Sequence, residues 1–332
     1  MNRYDIVISK KVEVERQNKW ARGVVQSTDC SLQSTVFGFL TSDFRLPASD
    51  FRLRSSFKLT ITLLIGLIIF NSCTEKIDIE LGTTYTRLVV DGKITPEQGE
   101  QYVRLTKTAD YFSNLASPDV SGATVSVDNG DSLVQFAEDI DNPGYYYAPE
   151  DFIGTSRSSY QLSIELSEPI NGVSNYEAHE VMPQLAEIID SVVVEMNPQF
   201  KMWMVRLYAL DPPTTDFYMF NGMVNGVIIT DSVSRVNISD DRLYNGNYTS
   251  GAVVLFLNEN EVQPGDTFTL ILSNITKEYA DYMMGLQTEI QPHDPMFSGP
   301  PANVSTNISN DAVGYFAAFP SAFISTTVKA PE

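Results

Sequence analysis

The chain has 332 residues, of which 43% are hydrophobic and 19% charged, so it can fill the core of one large domain or two ordinary ones and is not a disordered polymer. A formal net charge of −20 repels phosphate backbones and anionic lipid surfaces, which argues against nucleic acid as a partner; the plainer use of such charge is to keep a surface protein soluble. Cys30 and Cys73 are the only cysteines, too few for a disulfide-stapled scaffold.

In chain order, residues 1–72 hold 10 Lys/Arg against 6 Asp/Glu, whereas residues 73–332 hold 12 against 36. The sign of the charge therefore changes at Cys73. Just before it, Arg52, Arg54 and Lys58 precede an apolar run from Leu59 to Phe70. A spanning helix needs about 20 apolar residues, so this run is too short for a stable span. It fits the apolar core of an export signal, roughly 7 to 15 residues long with a basic flank and a small residue before the cut. Residues 51–72 are therefore expected to be a signal peptide. Phe70-Asn71-Ser72-Cys73 resembles a bacterial lipobox, with Phe where Leu is usual. In that motif the Cys73 thiol is alkylated by a diacylglyceryl group and becomes an acylated N-terminus. Each buried methylene contributes about 0.8 kcal/mol, so several acyl chains anchor firmly in the membrane. The competing reading is a buried strand ending at an ordinary core cysteine. Residues 1–50 form a leader extension without clear periodicity, explained either by a true start near Leu46 or Leu53 or by a cytoplasmic extension removed with the signal. Residues 73–83 read as an acidic tether.

From Thr84 the chain breaks into strand-like pieces: TRLVVDGKI (86–94), EQYVRLTKTA (100–109), GATVSVDNGDSLVQF (122–136), GYYYAPE (144–150), SSYQLSIELS (158–167) and SNYEAHEVM (174–182). Tyr160, Leu162, Ile164 and Leu166 alternate with polar residues, giving one buried and one wet face. Asn129-Gly130 between two strand patterns signals a hairpin, because both residues accept positive φ. Such short strands over residues 84–183 predict a β-sandwich of immunoglobulin or transthyretin type.

Pro183 to Ile189 reads as the join to a second β-rich domain, 184–332. Its predicted strands are DSVVVEM (190–196), KMWMVRLYAL (201–210), TDFYMFNGMVNG (215–226), VIITDSVSRVNI (227–238), GAVVLFL (251–257) and DTFTLILSNI (266–275). The alternation in KMWMVRLYAL suits a central strand covered on both sides. Ile275, Tyr279, Met283, Leu286 and Ile290 recur at helical spacing, with Ser273 or Thr276 as cap and Pro292 as stop. VGYFAAFPSAFISTTV reads as a closing aromatic strand or pair. The predicted fold class is thus all-β: tandem β-sandwich domains with one helix in the C-terminal domain.

Chemistry is sparse. The histidines, His179 in YEAHE and His293 in QPHDP, give a hydrolase triad or a His-rich metal site little to work with. Ser132 in GDS lacks a nucleophile-elbow pattern and sits in the hairpin turn. No glycine loop has a phosphate-binding spacing. SDDRLYNGNY offers Asp240, Asp241, Asn245 and Asn247 as oxygen ligands for calcium, which takes six to eight oxygens at about 2.3–2.6 Å; the same residues also suit a plain turn. YYY (145–147) and GYFAAF (314–319) could stack on a ligand or pack a core. No enzyme is predicted.

RLVVDGKIT after the expected lipidated cysteine, YVRLTKTADYF, VSGATVSV, NPGYYY, YQLSIEL, PGDTFTLILSNITKEYADYM and NVSTNISNDAVGYFAAF together resemble a lipoprotein family of unknown function from Bacteroidota, over residues 73–328. Members are commonly encoded beside TonB-dependent outer-membrane receptors. The resemblance implies a lipid-anchored, surface accessory to nutrient uptake with a TonB-dependent receptor as partner, and it supplies no catalytic residues. The alternative expectation is a structural or adhesion lipoprotein.

Overall fold

Alternating apolar side chains build the first sheet. The computed structural model describes residues 85–99, 101–109, 116–185, 188–291 and 304–331. The leader 1–50, the export segment 51–72, Cys73, the tether 73–83 and His293 lie outside them. Strands β1 (Leu88–Ile94), β2 (Tyr102–Lys107), β3 (Thr124–Asp128), β4 (Leu133–Glu138), β5 (Tyr145–Tyr147), β6 (Ser159–Ile170) and β7 (Val173–Val181) come from the N-terminal half, and β15 (Val313–Ala318) from the far end of the chain. They form one eight-stranded sheet in the order β15-β1-β2-β5-β4-β3-β6-β7. Strand β4 changes partner along its length: Leu133 to Phe136 pair with β3, whereas Ala137 and Glu138 pair with β5. All eight strands contribute to a single core that includes Val90, Val103, Val127, Tyr146, Leu162 and Phe316, so the sheet wraps around it. The two end strands are joined through Asn307, whose Nδ2 donates to His179 O at 3.2 Å and Phe316 O at 2.8 Å.

The predicted Asn129-Gly130 hairpin joins β3 to β4, but only Gly130 has positive φ, at 87°. Asn129 acts instead through its side chain, whose Oδ1 accepts from the amides of Asp131 and Ser132 at 3.0 and 2.9 Å. That local bond is what Asn offers a turn besides tolerance of positive φ.

The second core lies between two further sheets. One is β13-β9-β8, made of β8 (Ile188–Asn197), β9 (Met202–Leu210) and β13 (Ala252–Asn258). The other contains β10 (Phe217–Val224), β11 (Val227–Ile228), β12 (Asn237–Asp240), β14 (Thr267–Ile275) and β16 (Ser321–Thr327). Trp203, Val205 and Leu207 of β9 meet Phe220, Phe268 and Leu270 of the facing sheet. Strand β9 is central in its sheet, but Met202, Met204, Arg206 and Tyr208 on its other face are only half-buried. The strand expected over 227–238 is broken: β11 is followed by a 3-10 turn, Val233–Arg235, and β12 begins at Asn237. Its polar run, Thr230 to Ser232, has no alternating apolar set to hold a face.

The only α-helix among the described residues, α1 (Lys277–Glu289), starts at Thr276, whose Oγ1 accepts from the Tyr279 amide at 3.3 Å. Met283 and Ala280 turn into a third apolar cluster with Met219 of β10 and Tyr315, Ala317 and Phe319 of the β15 segment. Strand β15 is therefore buried on both faces: Phe316 and Ala318 enter the first core, while Tyr315 and Ala317 face the helix. Among the described residues the fold is all-β with one helix, as the periodicities predict.

Candidate functional site

Where β9 ends, its apolar alternation gives way to Asp211. The chain crosses Pro212 and Pro213 and re-enters the facing sheet at β10. The return loop after β12 lies against this crossing, with the Asp211 amide donating to Asn247 O at 3.0 Å and the Gly246 amide donating to Pro212 O at 3.2 Å. Between these loops and the two sheets is a cavity of about 210 Å³, walled by apolar groups such as Leu207, Phe220, Val254 and Leu272. Asp211, Asp240 and Asp241 also line it.

Two of these carboxylates are held in place. The Tyr218 hydroxyl donates to Asp211 Oδ1 at 2.7 Å, and the Asp216 amide donates to Asp241 Oδ2 at 2.9 Å. Asp211 and Asp241 are 7% and 2% exposed, and their second oxygens, Asp211 Oδ2 and Asp241 Oδ1, have no hydrogen-bond partner. Leaving such an atom dry is costly, so it calls for a donor from outside the described protein groups. Burial pushes the Asp211 carboxyl above the usual carboxylate range; the bond from Tyr218 and, to a smaller extent, the Gly246 amide oppose this, and the neighbouring Asp241 and Asp216 charges add to it. Burial also pushes the Tyr218 hydroxyl up, reinforced by the bond it gives Asp211, so it remains a donor at neutral pH.

Of the four residues expected to offer calcium ligands, Asp240 and Asp241 reach the cavity, while Asn245 and Asn247 are engaged in the turn. Asp240 is paired with Arg242 at 2.7 Å. The Asn245 amide donates to Asp241 O at 2.8 Å, and Asn247 Nδ2 donates to Asn245 O at 2.9 Å. Among the described residues no three His, Cys, Asp or Glu side chains converge as a metal site. Sequence reasoning missed Asp211 and Tyr218; the available signal was a carboxylate following a strand that is apolar on its buried face.

His179 Nε2 lies 2.7 Å from Ser159 Oγ across β6 and β7, with both side chains exposed. Neither residue lines the cavity. In YYY, Tyr146 is fully buried; its hydroxyl donates to Val120 O at 2.9 Å and accepts from the Ala123 amide at 3.0 Å. Tyr145 and Tyr147 stack on the other face with ring centroids 6.1 Å apart. The aromatics of GYFAAF pack into the cores described above.

Residues 74–323 match the sequence model of a family described as a domain of unknown function, DUF4249. The chain has no match among curated proteins.

Proposed function

We infer, for a chain that belongs to the DUF4249 family of unknown function, that it is a non-enzymatic ligand-binding lipoprotein of the outer membrane. It is held at the cell surface by acyl chains on Cys73 and serves as an accessory subunit of a TonB-dependent uptake system. The observation that carries the binding role is the cavity of about 210 Å³ with mostly apolar walls, lined also by Asp211 and Asp241, each of which keeps one buried oxygen without a partner. Ligand sites are typically concave and mostly apolar, with a few placed polar groups that fix orientation.

The non-enzymatic reading is supported by where the one nucleophile-like pair lies. A nucleophile needs an adjacent base that is itself oriented by a third group, and among the described residues the Ser159–His179 pair is solvent-exposed and lies away from the cavity. The anchor and the partner rest on the apolar run, the lipobox-like Phe70 to Cys73 and the resemblance set out above.

Affinity purification of the full-length protein from gently solubilised native membranes tests the role. A TonB-dependent receptor should co-purify with it. Recovery without any receptor, together with binding to cells or matrix, would replace this reading with that of a structural or adhesion lipoprotein.

A further inference from the structure

We propose that the cavity beneath the β12 loop binds a small organic cation, an ammonium or guanidinium group on an apolar body, whose charge is received by Asp211 and Asp241. This deepens the ligand-binding reading and rests on it. Each of the two carboxylates has one oxygen fixed by a protein donor, Tyr218 or the Asp216 amide, and one buried oxygen with no partner. Both residues are more than nine-tenths buried and line the same cavity. Their arrangement is fixed in advance, so a ligand need not order them, and ordering side chains is part of what weakens association.

The cavity supplies no positive charge of its own. No Lys, Arg or His is among its lining residues, and Arg242, the nearest in sequence, is turned outward onto Asp240. A buried carboxylate is stable only when a charge or strong donors meet it. An ammonium brings three N–H donors and a guanidinium five, and either can reach two acceptors at once through charge-assisted bonds.

The walls decide between an organic cation and a metal ion. Calcium needs about six to eight oxygens around it. Here most of the lining is apolar, and Asp240 is already paired. Leu207, Phe220, Val254 and Leu272 would be idle around a metal ion, but they bury the body of an amine. The cavity, at about 210 Å³, suits a small molecule rather than a peptide segment.

Isothermal titration calorimetry of the detergent-solubilised full-length protein with hexylammonium chloride, phenethylammonium chloride, 1-hexanol and calcium chloride tests the proposal. The two amines should bind, and 1-hexanol, of equal length and no charge, should bind roughly tenfold more weakly or not at all. Asp211→Asn and Asp241→Asn, both nearly isosteric, should each weaken hexylammonium by roughly tenfold. The comparison of hexylammonium with 1-hexanol on the unmodified chain needs no variant and stands even if one of them fails to fold. Equal binding of hexylammonium and 1-hexanol, no amine binding, or calcium binding that excludes the amines would each overturn the proposal. A receptor that co-purifies with a chain unable to bind amines would sink this inference alone.

Discussion

Replacing Gly314 by alanine is expected to destabilise the protein by on the order of 4 kcal/mol or more. Gly314 is paired with Val90 in the parallel ladder between β1 and β15 and has a φ of 99°. A Cβ built there would lie 1.9 Å from Val90 O, a backbone atom that cannot swing aside. The alanine would therefore carry an unfavourable backbone conformation and a steric overlap together, and β15 would have to leave β1. That loss spreads because β15 serves two cores: Phe316 is fully buried in the first, and Tyr315 packs against the helix in the third cluster. Gly130 is the control. It also has positive φ, at 87°, but nothing lies within 4 Å of a Cβ placed there, so Gly130→Ala should cost only about 1 kcal/mol, the backbone part alone. Thermal unfolding of the full-length protein should place Gly314→Ala on the order of 10 °C below the native chain, with Gly130→Ala close to it. Equal shifts for the two variants would contradict the proposed grip of β1 on β15.

Replacing Glu180 by glutamine is expected to stabilise the protein at alkaline pH and leave it nearly unchanged in mild acid. Glu180 lies on β7 and is 6% exposed; its Oε1 accepts from the Val181 amide at 3.1 Å. Burial pushes its pKa from 4.5 up to about 7; the Val181 amide and the Tyr315 and Thr276 hydroxyls pull the other way, and the Glu278 charge adds to the rise. Between pH 4.5 and about 7 the folded chain keeps a proton that the unfolded chain has released, so folding becomes less favourable as pH rises. The contribution of Glu180 to stability is complete below its unfolded pKa and is lost as pH climbs through its folded one. The difference of roughly 2.5 pKa units corresponds to on the order of 3 kcal/mol. Glutamine has no such proton to lose. Urea unfolding at pH 4 and at pH 8 should give similar stabilities for the two proteins at the lower value and a more stable Glu180→Gln at the higher one. Parallel pH profiles would show that Glu180 is not held in a dry site.

The strands were readable because their side chains alternate against single cores. SYQLSIELS became β6 with Tyr160, Leu162, Ile164 and Leu166 buried. The helix was readable from the spacing of Tyr279, Met283 and Leu286, although Ile275 ends β14 and Ile290 is the helix cap. What alternation cannot reveal is which strand a strand joins. VGYFAAFPSAFISTTV reads as a closing aromatic strand or pair without showing its partners; VGYFAA crosses to β1, while SAFISTT stays with β14. The glycine that permits the crossing, Gly314, looks like any other glycine in sequence.

The site was half legible for a similar reason. Asp240 and Asp241 stood out because turn-forming residues cluster around them. Asp211 follows β9 as a lone carboxylate, and Tyr218 sits inside an aromatic strand where core packing is the natural reading. Their bond of 2.7 Å arises only when β9 and β10 face one another across the second core. The buried oxygens left without a partner on two of the residues that line the cavity are a property of that tertiary arrangement, which no window of sequence contains.

Mass spectrometry of the N-terminal peptide of protein purified from its native membrane tests the account most directly, because anchoring and a role beside an outer-membrane receptor both depend on it. The expected result is a chain that begins at Cys73 and carries acyl groups on that residue. A peptide that begins at Met1, or one in which Cys73 is an unmodified internal thiol, would contradict it.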